Sequence, residues 1–122
     1  MKIITIFSIF VLFLTYSGLA FAEGYEDSAL SWQKQANGTR GAVVSVYEEL
    51  QSIGDQGNSA AKDLINDAVK WLGEGDKHLK QGDGDMAKSD FEKASYNYNM
   101  AWQYYVKAAT AGLNARRLLT GK

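Results

Sequence analysis

The chain has 122 residues with 13 basic and 14 acidic side chains, 12 glycines, no proline and no cysteine. That balance excludes strong basic attraction to nucleic acid, and the lack of cysteine excludes a disulfide scaffold, an acyl-cysteine lipoprotein anchor and any thiol chemistry. The length allows one hydrophobic core and one domain.

Residues 1–22 read as a secretory signal peptide rather than as fold. Lys2 gives a basic start, Ile3 to Leu14 is apolar except for Thr5 and Ser8, and Ala20-Phe21-Ala22 is a small-x-small cleavage site. The stretch is also long enough to cross a bilayer, so contact with a membrane would come only through this leader if it were not cleaved. Cleavage leaves a helical domain of residues 23–122, expected in the periplasm or secreted, because a small exported domain without cysteines suits a bacterial periplasm.

The remainder carries helical periodicity, and no run alternates as a strand would. A first helix is expected from Tyr25 to Ile53, with Ala29, Trp32, Ala36, Val43, Val46 and Leu50 among the residues of its apolar stripe. Asn37-Gly38 and Gly41 weaken its middle and are compatible with a kink. Gly54 to Asn58 forms a turn, with Asn58 or Ser59 capping the second helix, which runs to about Gln81 through Ala61, Leu64, Ala68, Trp71, Leu72, Gly75 and Leu79. Gly82-Asp83-Gly84-Asp85 then reads as a second turn with an Asp cap. A long third helix follows from about Asp85 to Leu119. Alanine recurs every seventh residue at 87, 94, 101, 108 and 115, alternating with Phe91, Tyr98, Tyr105, Gly112 and Leu119. The expected architecture is therefore an all-α, up-down-up three-helix bundle whose long C-terminal helix, roughly 50 Å against about 35 to 43 Å for the others, overhangs its neighbours.

Residues 68–101 resemble a single tetratricopeptide repeat. Trp71, Gly75, Ala87, Phe91 and Ala94 stand where that family has its signature residues, whereas Glu74, His78 and Asn99 depart from it. The resemblance implies a helical hairpin crossing at Gly75 and Ala87, and by analogy a role in protein contacts.

Charge is uneven along the chain: residues 23–55 carry −4 and residues 86–122 carry +4, which favours packing of the first helix against the third. Catalytic equipment is sparse. His78 is the one imidazole, and with Asp76, Asp83 and Asp85 it falls short of a zinc ligand set. Asp83-Gly84-Asp85 opens like a calcium loop, but Ala87, Lys88 and Ala94 occupy positions that need a ligand, a glycine and a glutamate. No cofactor is expected.

The function expected from these features is that of a small exported, non-enzymatic interaction or accessory protein, acting on another protein or by self-association. Its candidate contact residues are Tyr96, which points away from the packed seam, Tyr104 at the seam's border, and Leu113, Arg116, Arg117, Leu118 and Leu119 on the overhang. The alternative is a carrier of a small ligand or cofactor in a pocket lined by Trp71, Trp102 and the tyrosines.

Overall fold

The computed structural model describes residues 24–121; the expected signal peptide, residues 1–22, lies outside them. Three helices account for nearly all of this span: α1, Tyr25–Ile53; α2, Ser59–Ala87; and α3, Phe91–Thr120. They form an all-α bundle in which α3 packs against both neighbours while α1 and α2 touch only lightly. Ser28 meets Ser95 and Glu49 meets Arg116, so α1 and α3 run parallel. His78 meets Asn97 and Asp76 meets Tyr105, so α2 runs antiparallel to both. The topology is up-down-up.

Local chemistry sets the ends. Asn58 caps α2 by accepting from the Ala61 amide at 3.0 Å, and Asp90 caps α3 by accepting from the Lys93 amide at 3.3 Å. Each bond satisfies an amide that the helix itself leaves unpartnered. Between α1 and α2 the chain turns with Gly54, Gln56 and Gly57 at positive φ, and the Asp55 carboxylate accepts from the Gly57 amide. α1 is unbroken through Asn37-Gly38 and Gly41, and the Asn37 side chain bonds back to the Gln33 carbonyl.

Every helix buries one residue in seven along one line. In α1 these are Ala29, Ala36, Val43 and Leu50; in α2, Ala61, Ala68, Gly75 and Gly82; in α3, Ala94, Ala101, Ala108 and Ala115. A seven-residue repeat keeps a seam facing its partner along long helices, and small residues on it allow close backbone approach. The second line of α3, Tyr98, Tyr105 and Gly112, fills the space so created. Tyr98 and Tyr105 are fully buried, and the apolar side chains Trp32, Val43, Trp102 and Ala109 complete the main core around them. Because it is covered on two sides, α3 buries twelve residues, against six for α1 and four for α2.

Three expectations fail for one reason. The segment Gly82 to Asp85 is helix, and the turn lies at Lys88 to Asp90, with Ser89 at φ +60°. The glycine that reads as a turn signal is a packing residue: a Cβ on Gly82 would stand 2.7 Å from the Tyr98 ring. With α2 extended to Ala87, the helices have 29, 29 and 30 residues, each about 44 Å long. There is no overhang. Ala87 ends α2 and is exposed, so it takes no part in the crossing that the repeat frame assigned to it; Gly75 packs on Tyr105 instead.

Candidate functional site

Two matched polar layers tie the three helices together. In one, the Tyr105 hydroxyl donates to Asp76 Oδ1 at 2.6 Å, and Arg40 donates from Nε to the same oxygen at 2.8 Å and from Nη2 to Oδ2 at 3.3 Å. In the other, the Tyr98 hydroxyl donates to Asp83 Oδ1 at 2.6 Å and accepts from Gln33 Nε2 at 3.0 Å. Arg40 follows Gln33 by one heptad, Asp76 precedes Asp83 by one, and Tyr105 follows Tyr98 by one. A Gly-Asp pair on α2 recurs in both layers: the glycine admits the tyrosine ring and the aspartate receives its hydroxyl. Burial raises both tyrosines above their ordinary pKa, and the facing carboxylates raise them further. Burial alone would raise Asp76, but hydrogen bonds from Arg40 and Tyr105 outweigh it and hold the carboxyl below its usual value. Each of these two acids is engaged by a donor from a neighbouring helix.

On the outer side of α2 and α3 a second column forms. Asp85 Oδ2 accepts from Asn97 Nδ2 at 2.7 Å, and Asn97 Oδ1 lies 3.2 Å from His78 Nδ1. The His78 ring stacks on Tyr104 with centroids 5.4 Å apart, and Tyr104 stacks on Trp71 at 5.7 Å. Lys70 and Lys107 lie over Trp71 at 4.7 and 4.8 Å. The residues considered as a metal set are thus divided: Asp76 and Asp83 face the layers, while His78 and Asp85 sit in this column. Among the described residues no group of three or more metal-ligating side chains converges.

The other side of α3 is open. A groove of about 210 Å³ runs between α1 and α3, lined by Gln35, Gly38, Thr39, Ala42, Trp102, Val106 and Ala109. A wider depression adjoins it toward the start of both helices, bounded by Tyr25, Trp32, Glu92, Ser95, Tyr96 and Asn99. Trp32 and Trp102, in tilted contact at 5.4 Å, divide the two. Glu92 to Ala109 measures about 26 Å along α3.

The candidate contact residues do not converge on one patch. Tyr96 is 64% exposed on the edge of the depression, and Tyr104 is occupied in the stacked column. Leu113 is half-buried one heptad beyond Val106. Arg116 is buried and paired with Glu49 at 3.2 Å. Arg117 and Leu118 are exposed, and Leu119 is half-buried. Trp71 and Trp102 do not share a pocket, because Trp102 and the Trp71-stacking Tyr104 project about 200° apart on α3. The groove residues Gly38, Thr39, Ala42, Val106 and Ala109 escaped sequence reasoning. Their signal was the scarcity of charge over Gln35 to Val46, where Arg40 is the one charged residue.

No family model matches the chain, and comparison with curated proteins and with solved structures likewise gave no match.

Proposed function

We propose that this chain is a small exported, non-enzymatic interaction protein, and that the groove between α1 and α3 is the face it offers to another protein. The observation that carries this reading is the contrast between faces. Where α3 meets α2 and the edge of α1, hydroxyls and carboxylates are consumed in the two layers and the stacked column. On the groove, Gly38, Ala42, Val106 and Ala109 leave an apolar strip of small side chains beside Trp102. Small side chains let another helix approach closely, and an aromatic flank supplies contact area at low entropic cost. No helix of the described residues is long and apolar enough to cross a membrane.

The carrier alternative called for an aromatic pocket shared by Trp71 and Trp102, and these two lie on different sides of α3. What is open is a groove rather than an enclosed cavity, which suits a protein surface better than a sequestered small molecule.

Site-specific photo-cross-linking in the exporting cell tests the proposal. A photoreactive residue at Val106 should give a defined protein adduct, whereas the same residue at Lys62, exposed on α2, should not. Equal labelling from both positions, or none from Val106, overturns it. Fractionation and intact mass of the same material test export and cleavage after Ala22.

A further inference from the structure

The depression at the start of α1 and α3 has a chemistry that the groove lacks. It holds about 360 Å³ and is bounded by three aromatic side chains, Tyr25, Trp32 and Tyr96, together with Glu92, Ser95 and Asn99. The parallel pairing of the two helices through Ser28 and Ser95 sets Tyr25 level with Glu92 and Trp32 level with Asn99, each pair equally spaced from the serine bond. Steps of three and four residues keep Glu92, Ser95, Tyr96 and Asn99 on one face of α3. Trp32 and Ser95 are buried and form the floor, whereas Tyr25, Tyr96 and Glu92 are exposed and form the rim. Tyr25 and Tyr96 are the two tyrosines that the bundle leaves most exposed, and both stand here.

We infer that this depression binds a quaternary ammonium group, with its methyls against the rings of Tyr25, Trp32 and Tyr96 and its charge beside Glu92. The inference goes beyond the docking groove and does not rest on it. Aromatic ring faces attract a weakly hydrated cation. Glu92 carries the one formal charge among the lining residues, and no ion pair among the described residues engages it. The amides at the two helix starts favour anions, but Glu26 and Asp27 on α1 and the Asp90 cap and Glu92 on α3 set carboxylates against them, and Lys93 is paired with Asp90. What the lining lacks selects the kind of cation. A primary ammonium brings several N–H donors that need acceptors, whereas the Ser95 hydroxyl is engaged by Ser28 and Asn99 Oδ1 by Gln103. A divalent metal needs several oxygen ligands, and among the described residues no such group converges. A quaternary ammonium needs neither. Because the depression opens to solvent, it holds a headgroup at the surface rather than enclosing a whole molecule.

Titration with choline, followed by the proton resonance of its methyl groups, tests this on protein expressed with its own leader. The expected result is an upfield shift that saturates with a millimolar dissociation constant, and binding about tenfold weaker for the neutral isostere in which tert-butyl replaces trimethylammonium. Glu92→Gln and Tyr96→Leu should each weaken choline binding about fivefold, whereas Tyr96→Phe keeps the ring and should retain it. Both positions are exposed, so the helical circular dichroism should be unchanged. Flotation with phosphatidylcholine vesicles separates two sources of the group. Flotation that choline competes away assigns a lipid headgroup, and choline binding without flotation assigns a free quaternary amine. No shift at about 100 mM choline overturns the inference. So does equal binding of the neutral isostere, choline binding indifferent to Glu92→Gln and Tyr96→Leu, or a Tyr96→Phe variant as weak as Tyr96→Leu.

Discussion

The hydroxyl of Tyr105 reaches Asp76 Oδ1 at 2.6 Å because the residue before that aspartate, Gly75, has no side chain to hold the ring away. The same construction recurs at Gly82, Asp83 and Tyr98. Helix packing and buried hydrogen bonding therefore depend on one another at two levels of the bundle, one heptad apart. Replacing either glycine separates the helices and lengthens the hydrogen bond together.

Gly75→Ala and Gly82→Ala should each destabilise by about 1 to 3 kcal/mol through overpacking against a buried ring, despite alanine's better helix propensity. Gly73→Ala and Gly84→Ala add a Cβ into open space and should instead stabilise by about 0.5 to 1 kcal/mol. Urea midpoints at constant m-value separate the two pairs. Equal shifts for all four variants would refute the ring contacts.

The layers differ in one element. Asp76 has the Arg40 guanidinium, whereas Asp83 has the Gln33 amide at 3.4 Å. Gln33→Arg places a cation at the equivalent heptad position and should raise stability by about 0.5 to 1 kcal/mol, a modest figure because the Arg40–Asp76 side chains are both partly exposed. Raised salt should reduce the gain. A neutral or destabilising Gln33→Arg would mean that the layers are not equivalent in geometry.

Ionisation acts on this bundle from both sides. The Asp76 carboxyl is held below its ordinary value, so its contribution is present above the ordinary carboxylate range and is lost as pH falls through the lower folded value. Asp76→Asn should therefore flatten the acid limb of the stability profile. Tyr98 and Tyr105 are raised, so their contribution is complete below the ordinary tyrosine value and is lost as pH rises above it. Phenolate absorbance from these two should appear together with loss of helical circular dichroism. The late step should shrink in Tyr98→Phe and Tyr105→Phe variants. Ionisation of both tyrosines in a fully folded protein would contradict their burial.

Much of this was written in the chain, but not all of it in readable form. The α1 limits and the Asn58 cap follow from apolar spacing and capping chemistry, which are local. The alanine heptads of α3 identify the seam because nothing but close helix packing needs them. The second turn was misplaced because glycine carries two meanings, positive φ and absence of a Cβ, and only the opposing Tyr98 distinguishes them. At the actual turn Ser89 adopts φ +60° without a glycine to mark it. The two polar layers were hidden for a related reason: their members are far apart in sequence and share only a heptad phase.

Ser89→Gly tests the turn directly. A non-glycine residue in the left-handed region carries strain that glycine relieves, so this substitution should stabilise by about 0.5 to 1 kcal/mol. Ala87→Leu, two residues earlier at an exposed site, should change stability by less than about 0.5 kcal/mol. Had Ala87 stood at the hairpin crossing, leucine there would overpack. A large loss from Ala87→Leu would restore the repeat-like frame.

The end of α3 gives the last prediction. Gly112, Ala115 and Arg116 are buried, Gly112 packs beside Val46, and Arg116 donates to Glu49 at 3.2 Å. These turns cover the last part of α1, including the fully buried Leu50. A chain truncated after Ala111 should therefore lose stability by about 3 kcal/mol or more, chiefly because it uncovers Leu50 and removes the buried Gly112 and Ala115 contacts, with a smaller loss from the part-buried Arg116–Glu49 pair. Leu118→Ser, at an exposed site in the same segment, should be nearly neutral. Thermal melts of the three proteins decide the matter. A truncated chain that melts with the full one would make the terminal turns a loose tail, whereas a large loss confined to the truncation shows that α3 is held along its whole length.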